Sequence, residues 1–308
     1  MAKINWYPGH MHKASKEMRK ILPEVDLIIE ILDARIPFSS ENPMLAQIRG
    51  DKPCIKVLSK SDLADPALTK IWQDYLEQQK NVKTLALSAE NPERMRDLLA
   101  LCRKMVPAKV NSVKDLQAMI MGIPNVGKST LINILAGRHI AKTGNEPAVT
   151  KGQQRIKIGE GIVLLDTPGM LWPNLENRHG GYRLAVTGAI KETAVENDDI
   201  AMYAAGYFRS AYPDLLKQRY QLDELPEDEL PLLEMIGTKR GCLRAGGRVD
   251  LERTAKILLT EFRDATIGRI TLETPEMMEK ELIEMATIRE QKAAQKEARK
   301  QKRHGSRS

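Results

Sequence analysis

Cysteines are few in this sequence, and long hydrophobic runs are missing from it. The three cysteines, Cys54, Cys102 and Cys242, form no C-x-x-C pair. Neither a disulfide framework nor a zinc site is therefore indicated, and a reducing cytoplasm fits best. No segment approaches the ~18 apolar residues of a membrane span, and residues 1–20 lack the apolar core of a signal peptide. We expect a soluble, cytoplasmic protein that has no membrane partner.

Acidic residues are scarce at the C-terminal end of the chain. The net charge is +7, and residues 292–308 hold seven Lys or Arg residues against one glutamate. Almost all of the excess positive charge therefore lies in this tail. A basic tail can follow a nucleic-acid backbone through counterion release, bind an anionic membrane surface or keep a protein soluble. Composition alone leaves these alternatives open.

The length and the strand pattern predict an α/β fold. With 308 residues, of which 42% are hydrophobic, the chain is long enough for two globular units. Short β-branched runs that alternate with helix-like stretches are typical of a doubly wound, mainly parallel sheet, here of six strands. Asp65 and Pro66 are expected to start the first of these helices. We expect strands at 26–35, 53–60, 82–89, 116–123, 161–169 and, antiparallel, 155–159, and helices at 66–80, 92–105 and 128–137.

Helical periodicity replaces this alternation after Pro173. Gly237 is expected to stop one of the helices in this region. The predicted helices lie at 181–191, 197–209, 213–219, 227–237 and 251–266. We predict an α/β domain with an N-terminal segment over 1–172 and a helical domain over 173–275. Residues 276–308 are predicted to be a charged helix that gives way to the basic tail.

A phosphate-binding loop is the strongest motif in the chain. Residues 122–129, GIPNVGKS, fit G-x-x-x-x-G-K-[ST] and lie between a predicted strand and a predicted helix, as the motif requires. Backbone N–H groups of such a loop surround the phosphates, Lys128 would bridge the β- and γ-phosphate oxygens, and Ser129 would bind Mg²⁺. This pattern predicts a nucleoside triphosphate site.

Residues downstream of this loop are candidates for sensing the γ-phosphate and Mg²⁺. The segment LLDTPG places Asp166 at a strand end, where it can hold Mg²⁺ through water, and Gly169 can offer its N–H to the γ-phosphate. Thr150 is the candidate for closing over Mg²⁺ when triphosphate is bound. An ordinary loop threonine is an equally good interpretation of Thr150.

A second motif predicts which base is bound. In SKSD, at 59–62, the Asp62 carboxylate can pair with the N1–H and N2 amine of guanine, and Lys60 can lay its aliphatic stem against the ring. The amide of Ala89 in SAE can meet the O6 carbonyl. A site built on paired hydrogen bonds rejects the wrong base by leaving buried groups unsatisfied. Lys-x-Asp is common on surfaces, so the signal depends on the position of both segments at predicted strand ends.

The base motif precedes the phosphate loop, whereas ordinary GTPases carry the two in the opposite order. Ligand loops of an open α/β sheet all emerge at the carboxyl ends of the strands, so a site depends on which loops converge in space. Segment 107–115 can join the usual chain ends, which often lie close together. Joining the usual ends opens the chain elsewhere in the domain. The C-terminal end created in this way lies at the γ-phosphate segment, so the helical domain follows that segment directly and GTP hydrolysis can move it.

Several segments together resemble the ribosome biogenesis GTPase A family of circularly permuted GTPases. The resemblance covers residues 5 to about 275 and is carried by WYPGHM, DARIPFSSENP, GIPNVGKSTLIN, LLDTPGMLWP, LAVTGAIK and KRGCL. It implies a permuted G domain over 1–172, GTP hydrolysis with Mg²⁺, and a monomer. It also implies late action on the large (50S) ribosomal subunit, stimulation by that particle, and contacts with ribosomal proteins and, from the helical domain, with rRNA.

The resemblance also carries nucleotide contacts onto this chain, with two departures. Ser59 stands where the guanine motif usually opens with Asn, which predicts a looser contact between the base loop and the phosphate loop. Ala148 replaces a glycine in the switch segment. The GTP-binding residues implied are Ser59, Lys60, Asp62, Ser88, Ala89, Asn125, Val126, Gly127, Lys128, Ser129, Thr130 and Gly169.

The glutamine that usually positions the attacking water is absent from this sequence. Ras-like enzymes use a glutamine after the DxxG motif, and here that place is Met170. One alternative is a K⁺ ion with Asn125 as a ligand. The other is His10, whose neutral imidazole can accept a hydrogen bond from water and which would join Lys128 as a catalytic residue. His10 can equally well cap or pack the first helix.

Two other functions compete with a GTPase switch in ribosome assembly. In the first, the chain is a P-loop ATPase or phosphotransferase, and SKSD is an exposed segment that does not bind the base. In the second, it is an RNA-binding scaffold with incidental GTP turnover. Base preference separates the first alternative from the GTPase, and a variant that binds but does not hydrolyse GTP separates the second.

Overall fold

The structure is a computed structural model. It describes most of the chain, and the side chains of residues 92, 292 and 295–305 lie outside the description. The described residues are 18–43, 48–109, 112, 114–140, 154–159, 161–167, 169, 177–190 and 197–305.

A six-stranded sheet forms the first part of the described chain. Its order is β3-β2-β1-β4-β6-β5; β5 runs antiparallel to β6, and the other neighbouring pairs are parallel. The doubly wound sheet and its antiparallel sixth strand are thereby confirmed. The strands are β1 (Leu27–Asp33), β2 (Cys54–Ser59), β3 (Val82–Ala86), β4 (Leu116–Gly122), β5 (Gln154–Lys157) and β6 (Ile162–Asp166).

Both faces of the sheet are covered, which explains the continuous apolar character of the central strands. One face packs on Leu98 and Ile132, and the other packs on Trp72. Asp65 caps the first helix, since its side chain accepts hydrogen bonds from the N–H groups of Ala67 and Leu68, as expected for this residue type. The covering helices are α1 (Pro66–Leu76), α2 (Met95–Met105) and α3 (Lys128–Ala136).

The second part of the chain is helical. The rings of Phe208 and Phe262 lie 5.3 Å apart in its core. The predicted boundary between 172 and 173 lies outside the described residues. The helices are α4 (Arg178–Val186), α5 (Asn197–Ala211), α6 (Pro213–Tyr220), α7 (Glu229–Lys239) and α8 (Leu251–Arg263).

The segment after α8 holds the helical part against the loop that follows β1. The carboxylate of Glu273 accepts hydrogen bonds from the Ser39 N–H at 2.9 Å and the Ser39 hydroxyl at 2.7 Å, and pairs with Arg183 at 3.3 Å. Burial raises the pKa of Glu273, although Arg183 opposes this effect. The Trp72 indole N–H donates to the Glu273 carbonyl at 3.0 Å. The ends of the central strands therefore face the helices directly.

The basic tail differs from its prediction. The charged helix predicted from about 276 does not end before the basic residues but includes them, as α9 (Pro275–Gly305). Residues 292–303 are mainly Ala, Lys, Gln, Glu and Arg, which are strong helix formers. Within the described ranges, no helix is both long enough and apolar enough to cross a membrane.

Candidate functional site

The phosphate loop turns tightly between β4 and α3. Asn125 and Gly127 both have left-handed backbones, with φ of 62° and 90°, and α3 begins at Lys128. The free N–H groups of a helix N-terminus after such a turn favour an anion. A Cβ on Gly169 would lie only 3.1 Å from the backbone nitrogen of Pro124. Any larger residue would therefore push the segment after β6 away from this loop by a few tenths of an ångström.

Lys128 and Asp166 form a buried ion pair at the bottom of the loop. Burial raises the pKa of Asp166, although the neighbouring Lys128 ammonium opposes the shift. The second carboxylate oxygen of Asp166 has no hydrogen-bond partner among the described residues. Ser129, in the first turn of α3, is half-buried. Carboxylate and hydroxyl oxygens are ligands that Mg²⁺ accepts, so the residues present fit this ion.

The base loop contacts the phosphate loop through Ser59. Its hydroxyl lies 2.5 Å from the Val126 carbonyl oxygen and 2.8 Å from that of Leu32. The contact between the two loops is therefore present although Ser59 replaces the usual asparagine, and the expectation that it is looser stays a prediction. A side chain shorter than asparagine still reaches the phosphate loop, because β2 ends directly beside it.

Lys60 makes a second link between the two loops. Its ammonium donates to the Asn125 carbonyl at 2.7 Å and to the Asp33 carboxylate at 2.9 Å. Burial would raise the pKa of Asp33, but the Arg35 and Lys60 cations outweigh it and hold this pKa below its usual range. Burial lowers the pKa of Lys60, and Asp33 limits the shift. The reversed order of the motifs therefore does not separate the loops in space.

Asp62 is half-buried, and its carboxylate has no hydrogen-bond or salt-bridge partner in the part of the chain that the structure describes. The neighbouring Ser61 N–H donates to the Leu87 carbonyl at 3.2 Å and so ties the base loop to the end of β3. There Ser88 is buried, with its hydroxyl accepting from the Glu90 N–H at 3.1 Å, and Ala89 is exposed. Both acceptor oxygens of Asp62 are available to a ligand beside Ala89.

Of the remaining predicted site residues, some lie outside the described part of the chain and others lie at the phosphate loop. His10, Thr150, Ala148 and Met170 lie outside the described residues, so their roles stay predictions. Asn125, the candidate K⁺ ligand, donates its side-chain amide to the Gly188 carbonyl at 2.8 Å. Val126 is buried and Thr130 half-buried at the start of α3.

Sequence reasoning missed three residues that shape this site. Asp33 and Arg35 belong to the DARIPF segment, which carried the family resemblance without an assigned role. The third is Gly188 in LAVTGAIK, another segment that carried the resemblance without an assigned role. The position of Asp33 at the end of a predicted strand was the one clue to its place beside the base loop.

Comparisons with known proteins agree with this geometry. A family model described as 50S ribosome-binding GTPase matches residues 117–207. Ribosome biogenesis GTPase A of Priestia megaterium is 46% identical over 287 residues, which are 91% of this chain and 99% of the relative. The protein of the same name from Thermotoga maritima is 30% identical, covering 89% and 95%.

Among solved structures, the crystal structure of GNP-bound YlqF from T. maritima superposes with a TM-score of 0.60. It is 27% identical and covers 86% of this chain and 99% of that one. The resemblance drawn from the motifs is thereby confirmed, and the alternative of an ATPase or phosphotransferase is not supported. A phosphate loop and a base loop that meet in reversed chain order, together with these similarities, identify the chain as a GTPase that belongs to the ribosome biogenesis GTPase A family.

Proposed function

We propose that this GTPase binds the large (50S) ribosomal subunit late in its maturation and uses GTP binding and hydrolysis as a switch. The observation that carries the proposal is the Lys60 ammonium, which joins the base loop to the phosphate loop and leaves the Asp62 carboxylate open beside them. The names of the relatives and the description of the matching family model support the ribosomal partner. The protein acts as a monomer in the cytoplasm.

Each part of the nucleotide has its own group of residues. Asp62 reads the N1–H and N2 edge of guanine, and the Ser88–Ala89 turn meets O6. Lys128 leaves Asp166 to bridge the β- and γ-phosphate oxygens. The Gly169 N–H contacts the γ-phosphate. The other phosphate contacts come from the backbone and side chains of Asn125, Val126, Gly127, Ser129 and Thr130.

Two cations complete the site. Ser129, Asp166 and Thr150 would hold Mg²⁺, and the buried oxygen of Asp166 that has no partner among the described residues supports this assignment. When bound, Mg²⁺ neutralises charge that develops on the phosphate oxygens. Asn125 would hold a K⁺ ion, which would supply further positive charge in place of the missing glutamine.

An exposed basic loop on the helical part suits rRNA. The end of α7 and the loop between α7 and α8 expose Lys239, Arg244 and Arg248. Arg244 pairs with Asp250 at 3.0 Å, whereas Lys239 and Arg248 form no ion pair with any described residue. Together with the basic end of α9, this loop gives phosphate contacts that position the protein on RNA without reading its sequence. Ribosomal proteins supply the remaining contacts.

Hydrolysis in the presence of purified large subunits tests the proposed function. We expect saturating subunits to raise the kcat for GTP by about 10²-fold or more, since an added catalytic group typically contributes ~10²–10⁴-fold. The stimulated rate should be higher in K⁺ than in Na⁺. A kcat that subunits leave unchanged in both salts would rule out the switch and favour the scaffold with incidental turnover.

His10 is the proposed residue that positions water once the particle is bound. In an His10→Ala variant, subunit-stimulated turnover should fall by about 10²-fold or more, while the Kd for GTP stays nearly the same. His12→Ala is the matched control and should keep stimulated turnover. Full stimulation of the His10→Ala variant would leave His10 only a capping or packing role.

A further inference from the structure

The side chain of Asn125 links the phosphate loop to the helical part. The Asn125 amide donates to the carbonyl of Gly188, which follows α4. The last carbonyls of α4 are in turn held by Arg263, at the end of α8. Its Nε donates to the Val186 carbonyl at 2.9 Å, and its terminal nitrogen donates to the Ala185 carbonyl at 3.1 Å. Arg263 therefore supplies a donor to the Val186 carbonyl at the helix end and adds a second donor to the Ala185 carbonyl, which also accepts from the Gly188 N–H at 3.0 Å. These bonds fix the position of Gly188, whose carbonyl is the acceptor for Asn125.

The base loop is linked to Arg263 as well, through Arg35, Asp33 and Lys60. Arg35 lies 3.4 Å from the carbonyl oxygen of Arg263. It also grips the Asp33 carboxylate with two hydrogen bonds, of 2.9 and 2.7 Å. Asp33 holds the Lys60 ammonium, and Lys60 donates to the Asn125 carbonyl. The two routes thus form a closed ring that starts and ends at Asn125.

The ring holds two residues whose backbones need support. Lys60 and Asn125 have φ of 55° and 62°, a left-handed conformation that is strained for lysine and that asparagine adopts more readily. Such residues keep this backbone only where the surrounding contacts over-determine it. The Arg35 and Asp33 side chains, which are only 2% and 3% exposed, provide a rigid support of this kind.

We propose that Arg35 and Arg263 are positioning residues for the guanine nucleotide, which hold Lys60 and Asn125 in the binding conformation from outside the site. The inference rests on the proposed nucleotide site. Because a coupling free energy acts equally in both directions, the contact of Arg263 with the end of α4 sets nucleotide affinity, and nucleotide binding in turn favours that contact. A partner that moves α8 would change how tightly GTP or GDP is held.

Fluorescent GDP titrated into variants of the full chain tests this proposal. Arg263→Ala should raise the Kd roughly 2- to 30-fold, the range that residues on a coupling network show. In hydrolysis assays KM should rise while kcat changes little, because Arg263 touches no reacting atom. Arg253→Ala is the matched control, since Arg253 is exposed on the same helix and its side chain forms no ion pair with a described residue. Equal Kd values for the two variants would overturn the proposal.

A double-mutant cycle separates positioning from a general loss of packing. Asn125→Gly removes the amide while keeping the left-handed backbone free of strain. If Arg263 acts through Asn125, the fold-change from Arg263→Ala should shrink to less than about half in the Asn125→Gly background. The same fold-change in both backgrounds would mean that Arg263 does not act through the phosphate loop.

Two further variants keep the test decisive. Arg263→Lys retains the charge but cannot reach both the Ala185 and the Val186 carbonyl. Its affinity for GDP should therefore lie between those of the wild type and Arg263→Ala. The lysine variant replaces Arg263→Ala in the test if the alanine variant fails to fold. Lys128→Ala in the same titration reports on the site itself. Lost affinity in Lys128→Ala with normal affinity in Arg263→Ala would overturn the positioning role alone, whereas normal affinity in Lys128→Ala would overturn the proposed site.

Discussion

An Asp62→Asn variant is expected to bind GTP at least about 30-fold more weakly than the wild type and to prefer the xanthine nucleotide. A carboxylate offers two acceptors to the N1–H and N2 amine of guanine, whereas an amide offers one acceptor and one donor. Xanthine carries a carbonyl in place of the amine, which suits the new donor. Breaking a buried charge-assisted contact costs ~2–5 kcal/mol, and the lower value already corresponds to about 30-fold.

Calorimetric Kd values for GTP and XTP measure this switch. Asp74→Asn is the matched control, because Asp74 lies exposed on α1 and only pairs with Lys70. It should retain the preference for GTP. An Asp62→Asn variant that also retained this preference would mean that Asp62 does not read the base.

A Lys128→Ala variant is expected to lose about 10²–10³-fold in kcat/KM for GTP, the effect of removing one donor that stabilises charge in a transition state. The lysine is the cation nearest to Asp166 in the structure, and we propose that it moves to the β- and γ-phosphates when nucleotide binds. Steady-state hydrolysis of GTP measures the loss. Lys104→Ala, an exposed change on α2, should behave as the wild type.

The same variant has a consequence for folding that must be checked beside the rate. Removing one partner of a buried ion pair costs ~3–5 kcal/mol, unless the remaining Asp166 takes up a proton. Burial already raises the pKa of Asp166, which eases this uptake. Thermal unfolding without nucleotide therefore shows whether the chain is intact. An intact Lys128→Ala chain with normal kcat/KM would show that Lys128 does not act on phosphate.

Sequence patterns that lie within single segments predicted most of the helices and strands. The predicted strand at 116–123 and helix at 128–137 match β4 and α3 within one residue at each end, because apolar periodicity and turn residues lie within the segments themselves. The spatial meeting of the two loops also followed from the sequence. Parallel strands place their carboxyl ends on one edge of a sheet, whatever the chain order.

Contacts between distant residues could not be predicted in this way. Arg35 and Arg263 are 228 positions apart, and neither has a local pattern that indicates the other. Gly237 shows the same limit, because the predicted helix stop lies inside α7. A Cβ there would come within 2.4 Å of Val249 and 2.5 Å of Thr254, so close packing on the neighbouring segment, rather than helix termination, requires the glycine.

A crystal structure of the full chain with a non-hydrolysable GTP analogue tests most directly whether the two loops form one site. We expect the Asp62 carboxylate within hydrogen-bond distance of the guanine N1 and N2 atoms, and the Lys128 ammonium, separated from Asp166, on the β- and γ-phosphate oxygens of the same molecule. Analogue bound at one of these side chains while the other faces a separate cavity would contradict the account.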